Sequence, residues 1–328
     1  MLSNILIWLV FVAVVVLLGW LTFRAWRAKN KLVKFGGGLV GSLLTLVMAL
    51  VSVLLLIGMI KAYAPRSAPV PELKVAGSPE QIARGQHLAN SFCASCHSTT
   101  NELPLTGGLD LGKDFPMPLG SFVSANLTPG GPLKDWSDGE IFRAIRNGVD
   151  ADGNWLFVMS GARGRFLSDE DIHAVIAYLR SQPAVADVTQ MPLDQPNVLG
   201  FLLLGTGMLP AGEAPITEAI GMPAKGATAE FGKYILSYQD CVVCHGEDLS
   251  GGAPGQLAPQ GPNLSVVKKW TQEQFITTLR TGVDPNGHAL NNQLMPWKNI
   301  GRMDDDELAA IYVYVTSLPI RVAAQRTP

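Results

Sequence analysis

The sequence predicts an all-α protein in three parts: an N-terminal helical hairpin of membrane-spanning length, then two copies of one small helical domain. Three observations predict it. Two long uncharged apolar runs open the chain. A second stretch of sequence, of about the size of a small domain, is written twice after them. Alternating runs of β-branched residues, the signature of strands, do not appear. With 328 residues the chain is long enough for two domains of ordinary size. It is 48% apolar and only 16% charged, and its mean hydropathy of +0.22 points to a membrane part.

The first span is "ILIWLVFVAVVVLLGWLTF" at 5–23, uncharged over 19 positions, and the second is the 22-residue "LVGSLLTLVMALVSVLLLIGMI" at 39–60. At about 1.5 Å per residue each crosses a hydrocarbon core of about 30 Å. The loop between them carries Arg24, Arg27, Lys29, Lys31 and Lys34. The positive-inside rule therefore puts the loop in the cytoplasm and everything after residue 60 outside it. Trp8, Trp20, Trp26 and Tyr63 fall near the span ends, where interfacial aromatics belong. A cleaved signal peptide fits poorly. No Lys or Arg precedes the first run, both runs exceed an ordinary h-region, and Pro65 would follow a cut after "AYA" at 62–64. The expected organisation is a hairpin at 1–66, a first domain at 67–185, a linker at 186–227 and a second domain at 228–328. The expected location is a bacterial cytoplasmic membrane, multi-pass, with both domains on the periplasmic side.

Residues 1–66 hold seven Lys/Arg and no acid, which leaves 18 Lys/Arg against 27 Asp/Glu in the remainder. So acidic an exterior part is a poor partner for nucleic acid, whose binding depends on neutralising phosphates.

The repeat is legible at constant offsets. "WSDGEIFRAIRNGVDADGN" (136–154) aligns with "WTQEQFITTLRTGVDPNGH" (270–288), "LSDEDIHAVIAYLRSQP" (167–183) with "MDDDELAAIYVYVTSLP" (303–319), and "CASCH" (93–97) with "CVVCH" (241–245). The first copy has 11 more residues between its His and Asn126-Leu127 than the second has before Asn263-Leu264. Ser78-Pro79-Glu80-Gln81 reads as a capping box that starts a helix running into Cys93. Ser137 with Glu140 and Thr271 with Gln274 repeat that signal, each with Trp before the cap and Ile141 or Phe275 as the staple. Gly148 and Gly282 are the expected stops, and Ser168 and Asp304 the N-caps of the last helix of each copy. Six prolines from Pro183 to Pro223 argue against a long helix in the linker. Its apolar stretch "VLGFLLLGTGML" (198–209) is too short to span and is expected to pack between domains or against a membrane partner.

All four cysteines belong to two CxxC pairs, each followed at once by His. A structural zinc would need both sulfurs and the adjacent imidazole on one ion, which strains a tetrahedral site. Thioredoxin-like chemistry expects a βαβ context that is missing. A plain disulfide is allowed outside the cytoplasm but does not explain the repeated His. Covalent c-type haem explains all of it. Cys93 and Cys96, and Cys241 and Cys244, form thioethers with the vinyl groups, and His97 and His245 ligate iron. Two attached haem c groups are therefore expected. For the opposite ligand, Met159 aligns with Met295, each some 50–60 residues after its motif and before the last helix. Thioether opposite imidazole raises haem potential and suits electron transfer. Met117, in "FPMPLG", competes in the first copy and has no counterpart in the second. His87, His173 and His288 read as surface or hydrogen-bonded histidines.

These residues resemble the class I cytochrome c family. CxxCH near the first helix, a Met before the last helix, and Gly85 and Gly232 placed to pack on Tyr178 and Tyr314 are its features. "GPNL" at 261–264 is similar to the segment whose Pro carbonyl holds the ligating His, and "MPW" at 295–297 to the usual Met-Pro. The first copy departs with Ala125 and Ser160 at the corresponding places. Over about residues 77–320 the chain is similar to the cytochrome subunits of membrane-bound alcohol, aldehyde and gluconate dehydrogenases. Those carry three haems, a cleaved signal and a C-terminal anchor; this chain has two motifs and an N-terminal hairpin. The resemblance implies an electron-transfer subunit without catalysis of its own. It would work between a membrane oxidoreductase or quinol-oxidising complex and a soluble redox protein or terminal acceptor. A dihaem cytochrome c peroxidase is the alternative.

Overall fold

The computed structural model describes residues 2–186, 194–254, 256 and 258–319. Residues 187–193 of the expected linker and 320–328 of the expected second domain lie outside the described residues. Everything described is helical or loop, save two residue pairs, β1 (Gly120–Ser121) and β2 (Gln195–Pro196), joined antiparallel.

The two apolar runs become α1 (Leu2–Trp26) and α2 (Gly38–Tyr63), the latter entered through a π turn at Val33–Gly37. They form an antiparallel pair whose apolar exterior is bare. Small residues let the helices approach: a Cβ at Gly41 would meet Thr22, and one at Gly38 would meet the Trp26 ring. Trp26 lies at the loop end of the hairpin and donates to Ser42, whereas Trp8 faces inward and donates its indole N–H to the Ser52 carbonyl, 3.0 Å away. Trp8 thus also makes a helix-to-helix contact. Asn4 reaches Tyr63 at the far end.

Residues 64–78 are extended and lie along the first repeat. Arg66 N–H donates to Gly153 O, Val75 N–H to Asp138, and Gly139 leaves room for the Pro71 carbonyl. The first repeat then runs α3 (Pro79–Leu88), a π turn (Ala89–Cys93), α4 (Ala94–His97), α5 (Asp138–Asn147), α6 (Phe157–Gly161) and α7 (Asp169–Ser181). After the connecting helix α8 (Val198–Thr206) the second runs α9 (Ala229–Tyr238), α10 (Cys241–His245), α11 (Gln272–Thr281), α12 (Trp297–Ile300) and α13 (Asp305–Ser317). Every expected cap forms. Ser78, Ser137 and Thr271 close capping boxes, Ser168 and Asp304 cap α7 and α13, and Gly148 and Gly282 end α5 and α11 at φ of 61° and 71°.

In each repeat the first helix crosses the last with backbone against backbone. A Cβ on Gly85 would lie 1.8 Å from Ala174 O and 2.8 Å from Tyr178 Cβ; one on Gly232 would lie 2.0 Å from Ala310 O and 2.9 Å from Tyr314 Cβ. The repeats also meet one another, and their interiors form one continuous apolar core. Across the contact Arg84 bridges Asp171 and Glu307, His87 Nε2 meets Glu307 at 2.6 Å, and the Tyr234 hydroxyl donates to Asp171 at 2.6 Å. Asp171 and Glu307 occupy the same place in the two copies, so the last two bonds are pseudo-symmetric mates.

The apolar stretch at 198–209 packs on this chain's own hairpin. Gly58 takes the Phe201 backbone, Gly205 takes the Leu54 backbone, and Lys61 donates to Leu204 O. Leu119 and Phe122 of the first repeat, with Phe201, Leu204, Leu55 and Met59, complete a second apolar core there.

Candidate functional site: two CxxCH cradles

In both repeats the first helix delivers the CxxCH turn and a returning loop supplies a carbonyl to its histidine. His97 Nδ1 is 3.0 Å from Ala125 O, and His245 Nδ1 is 2.7 Å from Pro262 O. A carbonyl only accepts, so each Nδ1 carries the hydrogen and each Nε2 keeps its lone pair. Burial lowers both imidazole pKa values against the opposing pull of those carbonyls, which keeps the rings neutral, as a metal ligand must be. The loop backbone repeats too. His97 O accepts from Gly107 and His245 O from Gly251, while Leu127 bonds Leu105 as Leu264 bonds Leu249. Ala125 in place of proline therefore leaves the carbonyl where the histidine needs it.

Gly261 is needed for space, because a Cβ there would stand 2.6 Å from His245 Nδ1. The first repeat has Ser124 at that place, and its backbone bonds Gly108 and Leu109 to close the neck of an extra loop. The 11 extra residues are split rather than single: four fall between His97 and Gly107 and seven between Gly107 and Ala125. The second group forms a small excursion knotted by Asp110, which accepts from Gly112 N, Phe122 N and the Ser121 hydroxyl.

No disulfide joins the four cysteines, which are half-buried. Burial raises Cys93 and Cys241 to about 12, so neither is a thiolate nucleophile at neutral pH. Cys93, Cys96 and His97 open onto a cleft of about 1430 Å³, its mouth included. Its walls are mainly apolar, and Met159 is among them, with Leu133, Ile141, Val175 and Leu179. Met117 is packed instead in the core near the hairpin, with Phe115 and Phe122. Met295 is half-buried against the main core.

The loops bearing Met159 and Met295 share one fold. Leu156 N–H donates to Gly148 O as Leu290 N–H does to Gly282 O, and Asp150 pairs with Asn154 as Asp284 does with His288. In the second repeat Trp297 packs on Gly282. In the first, Ser160 fills that place against Gly148, accepts the Trp155 indole N–H at 2.7 Å and donates to Phe157 O. A pair of hydrogen bonds thus stands where the second copy has proline.

Two acids on the cleft wall carry no sequence signal of a site. Asp194 comes from the proline-rich connection. Burial raises it to about 6, helped by Asp150, although it accepts the Phe157 N–H at 2.6 Å. Asp240, just before Cys241, belongs to the other repeat, so the second CxxCH begins at the edge of the first cleft. His173 tilts on Phe142 and His288 is exposed, while His87 serves the contact between repeats.

Residues 80–179 match the family of cytochrome c oxidase, cbb3-type, subunit III, and residues 229–319 match cytochrome c. The chain carries two cytochrome c domains in tandem. Cytochrome c domains bind haem c, and both cradles suit it: paired thiols at the reach of two vinyl groups, a neutral imidazole with Nε2 free and, in the first, an apolar cleft. The cytochrome is similar to a nicotinate dehydrogenase polypeptide of Pseudomonas putida, 26% identical over 305 residues, 83% of this chain and 25% of that one. It is 27% identical over 271 residues to the cytochrome c subunit of alcohol dehydrogenase (quinone) of Gluconacetobacter polyoxogenes, 73% of this chain and 56% of that one. It is 26% identical over 250 residues to the fructose dehydrogenase cytochrome subunit of Gluconobacter japonicus, 71% and 48%. This cytochrome thus spans from a quarter to just over half the length of these relatives.

Proposed function

We propose that the protein is a membrane-anchored dihaem cytochrome c that carries electrons between a membrane oxidoreductase and an acceptor outside the cytoplasm. The repeated cradle carries this reading: one geometry of thiols, oriented imidazole and methionine loop, built twice in contact. Its domains are 67–185 and 228–328, joined by 186–227. Cys93 and Cys96 hold one haem and Cys241 and Cys244 the other. His97 with Met159, and His245 with Met295, would hold the two irons. When bound, each haem supplies a one-electron iron couple. The chain fixes the imidazole through Ala125 or Pro262, excludes water with apolar walls, and presents a thioether that favours the reduced state.

Both domains lie outside the cytoplasm and the basic loop inside, a sidedness that the five positive charges of that loop support. The donor is a membrane dehydrogenase or a quinol-oxidising complex, in keeping with the dehydrogenase subunits it is similar to, and the acceptor is a soluble redox protein or a terminal acceptor. The peroxidase alternative requires an open coordination position, and Met159 on the wall of the first cleft speaks against one. Redox titration of the full chain tests the reading. Two couples are expected, and Met295→His should lower one of them sharply while leaving the other in place. An unchanged pair of potentials would show that Met295 is not a ligand.

A further inference from the structure

Each methionine loop is fastened to the opposite domain beside that domain's CxxCH turn. In the second domain α12 follows Met295 directly. Its Asn299 exchanges two side-chain hydrogen bonds with Asn101 of the first domain, at 2.6 and 2.7 Å. Arg302, at the end of the same loop, donates to Asn90 O at 3.1 Å and Asn101 O at 2.5 Å. Those carbonyls border Cys93 and His97 on either side. In the first domain Arg163, four residues after Met159, donates to Ser237 O at 2.9 Å, and its backbone N–H donates to Asp240. Asp240 immediately precedes Cys241, and Ser237 lies one helical turn before it. Asn90, just after α3, and Ser237, near the end of α9, are equivalent positions, so the two carbonyls that receive the arginines are mates under the pseudo-symmetry; the arginines themselves are not, Arg163 corresponding in sequence to Asn299 and Arg302 to Phe166. Both arginines are mostly covered, with 20% and 22% of their side chains exposed.

Asn101 lies within the four extra residues after His97 and has a φ of 62°, a left-handed conformation that Asn tolerates. The second domain, shorter there, has no equivalent. The first part of the insertion therefore exists as a receptor for the other domain's methionine loop.

We propose that Arg163 and Arg302 are reciprocal positioning residues: each holds its own methionine loop closed by gripping the opposite domain, so that axial ligation in one domain depends on contact with the other. The proposal rests on Met159 and Met295 as ligands. A thioether is a weak, neutral ligand at the tip of a loop. Its retention depends on how rarely that loop opens, and charge-assisted bonds to half-buried carbonyls oppose opening.

The test uses the full haem-loaded chain in detergent. Met159→His and Met295→His assign the far-red sulfur-to-iron band and the potential of each haem. Arg302→Ala should weaken the band of the second haem, make that haem bind carbon monoxide when reduced, and spare the first. Arg302→Lys should restore part of the band. The decisive variant is Asn101→Gly, which keeps the left-handed backbone and sits in the first domain, four residues from His97. It is expected to disturb the second haem. Arg163→Ala should do the converse to the first haem. An Asn101→Gly protein altered only at the first haem, or Arg302→Ala with the second haem's band intact, overturns the proposal. If Met295→His itself leaves that band unchanged, the methionine assignment fails, and this proposal with it.

Discussion

At His97 and His245 a single hydrogen bond decides which nitrogen is left free, and the sequence around it differs while the bond does not. Glu307 shows the same economy at the contact between domains. Burial alone would raise its carboxyl, but the bonds and charges of His87 and Arg84 prevail and hold it down at about 2. A carboxyl depressed in the folded state stabilises the protein above its unfolded value, here about 4.5, and that contribution is lost as pH falls towards 2. The difference corresponds to roughly 3 kcal/mol. Thermal melting followed from pH 5 to pH 2 is expected to fall across this window. Glu307→Gln should melt lower at neutral pH and lose that part of the acid slope; an unaltered slope would assign it to other carboxylates. The cysteines and ligating histidines are legible in the sequence because the chemistry is contiguous. Asp194, Arg163 and Asn101 are not, because their roles arise only when segments distant in sequence are folded together.

Among the elements, the caps of five helices are readable from short local signals, since an N-cap side chain satisfies a donor within its own first turn. The crossing of α3 on α7, and of α9 on α13, is readable from one glycine and one tyrosine in each copy. Gly→Ala within an open helix ordinarily gains about 1 kcal/mol. At Gly85 or Gly232 the methyl would overlap a carbonyl oxygen, so the expected result is instead a loss of about 1–3 kcal/mol, measured by denaturant unfolding of the haem-loaded protein. A gain in stability would mean that the helices separate freely at that point. Less is legible where elements meet by tertiary fit. The extra residues of the first domain appear in sequence as one insertion and in space as two, one turned towards the second domain and one towards α8. The pairing of β1 with β2 has no alternating pattern to announce it, because two residues on each side are too few to make one.

For the whole molecule, the continuous core and the Arg84–Asp171–Glu307 bridge make the two haem domains one body. The seating of α8 on α2 joins that body to the hairpin. Gly58→Val is expected to break this seat, because its side chain would enter the Phe201 backbone. In vesicles the variant should become cleavable by protease around Gly207–Gly212 while keeping both haems; resistance equal to the parent chain would show that α8 is held by other means. The extended segment at 64–78, bound along the first domain, adds a second attachment to the same hairpin. A domain on a slack leash samples a hemisphere of positions and orientations, and its partners are met at every angle. Here two seams clamp the first domain to the hairpin, so its cleft keeps one height and one tilt relative to those two helices. In the proposed function, encounter with a membrane-bound donor is then a search over lateral position and rotation about the membrane normal, with the remaining degrees of freedom already spent in folding.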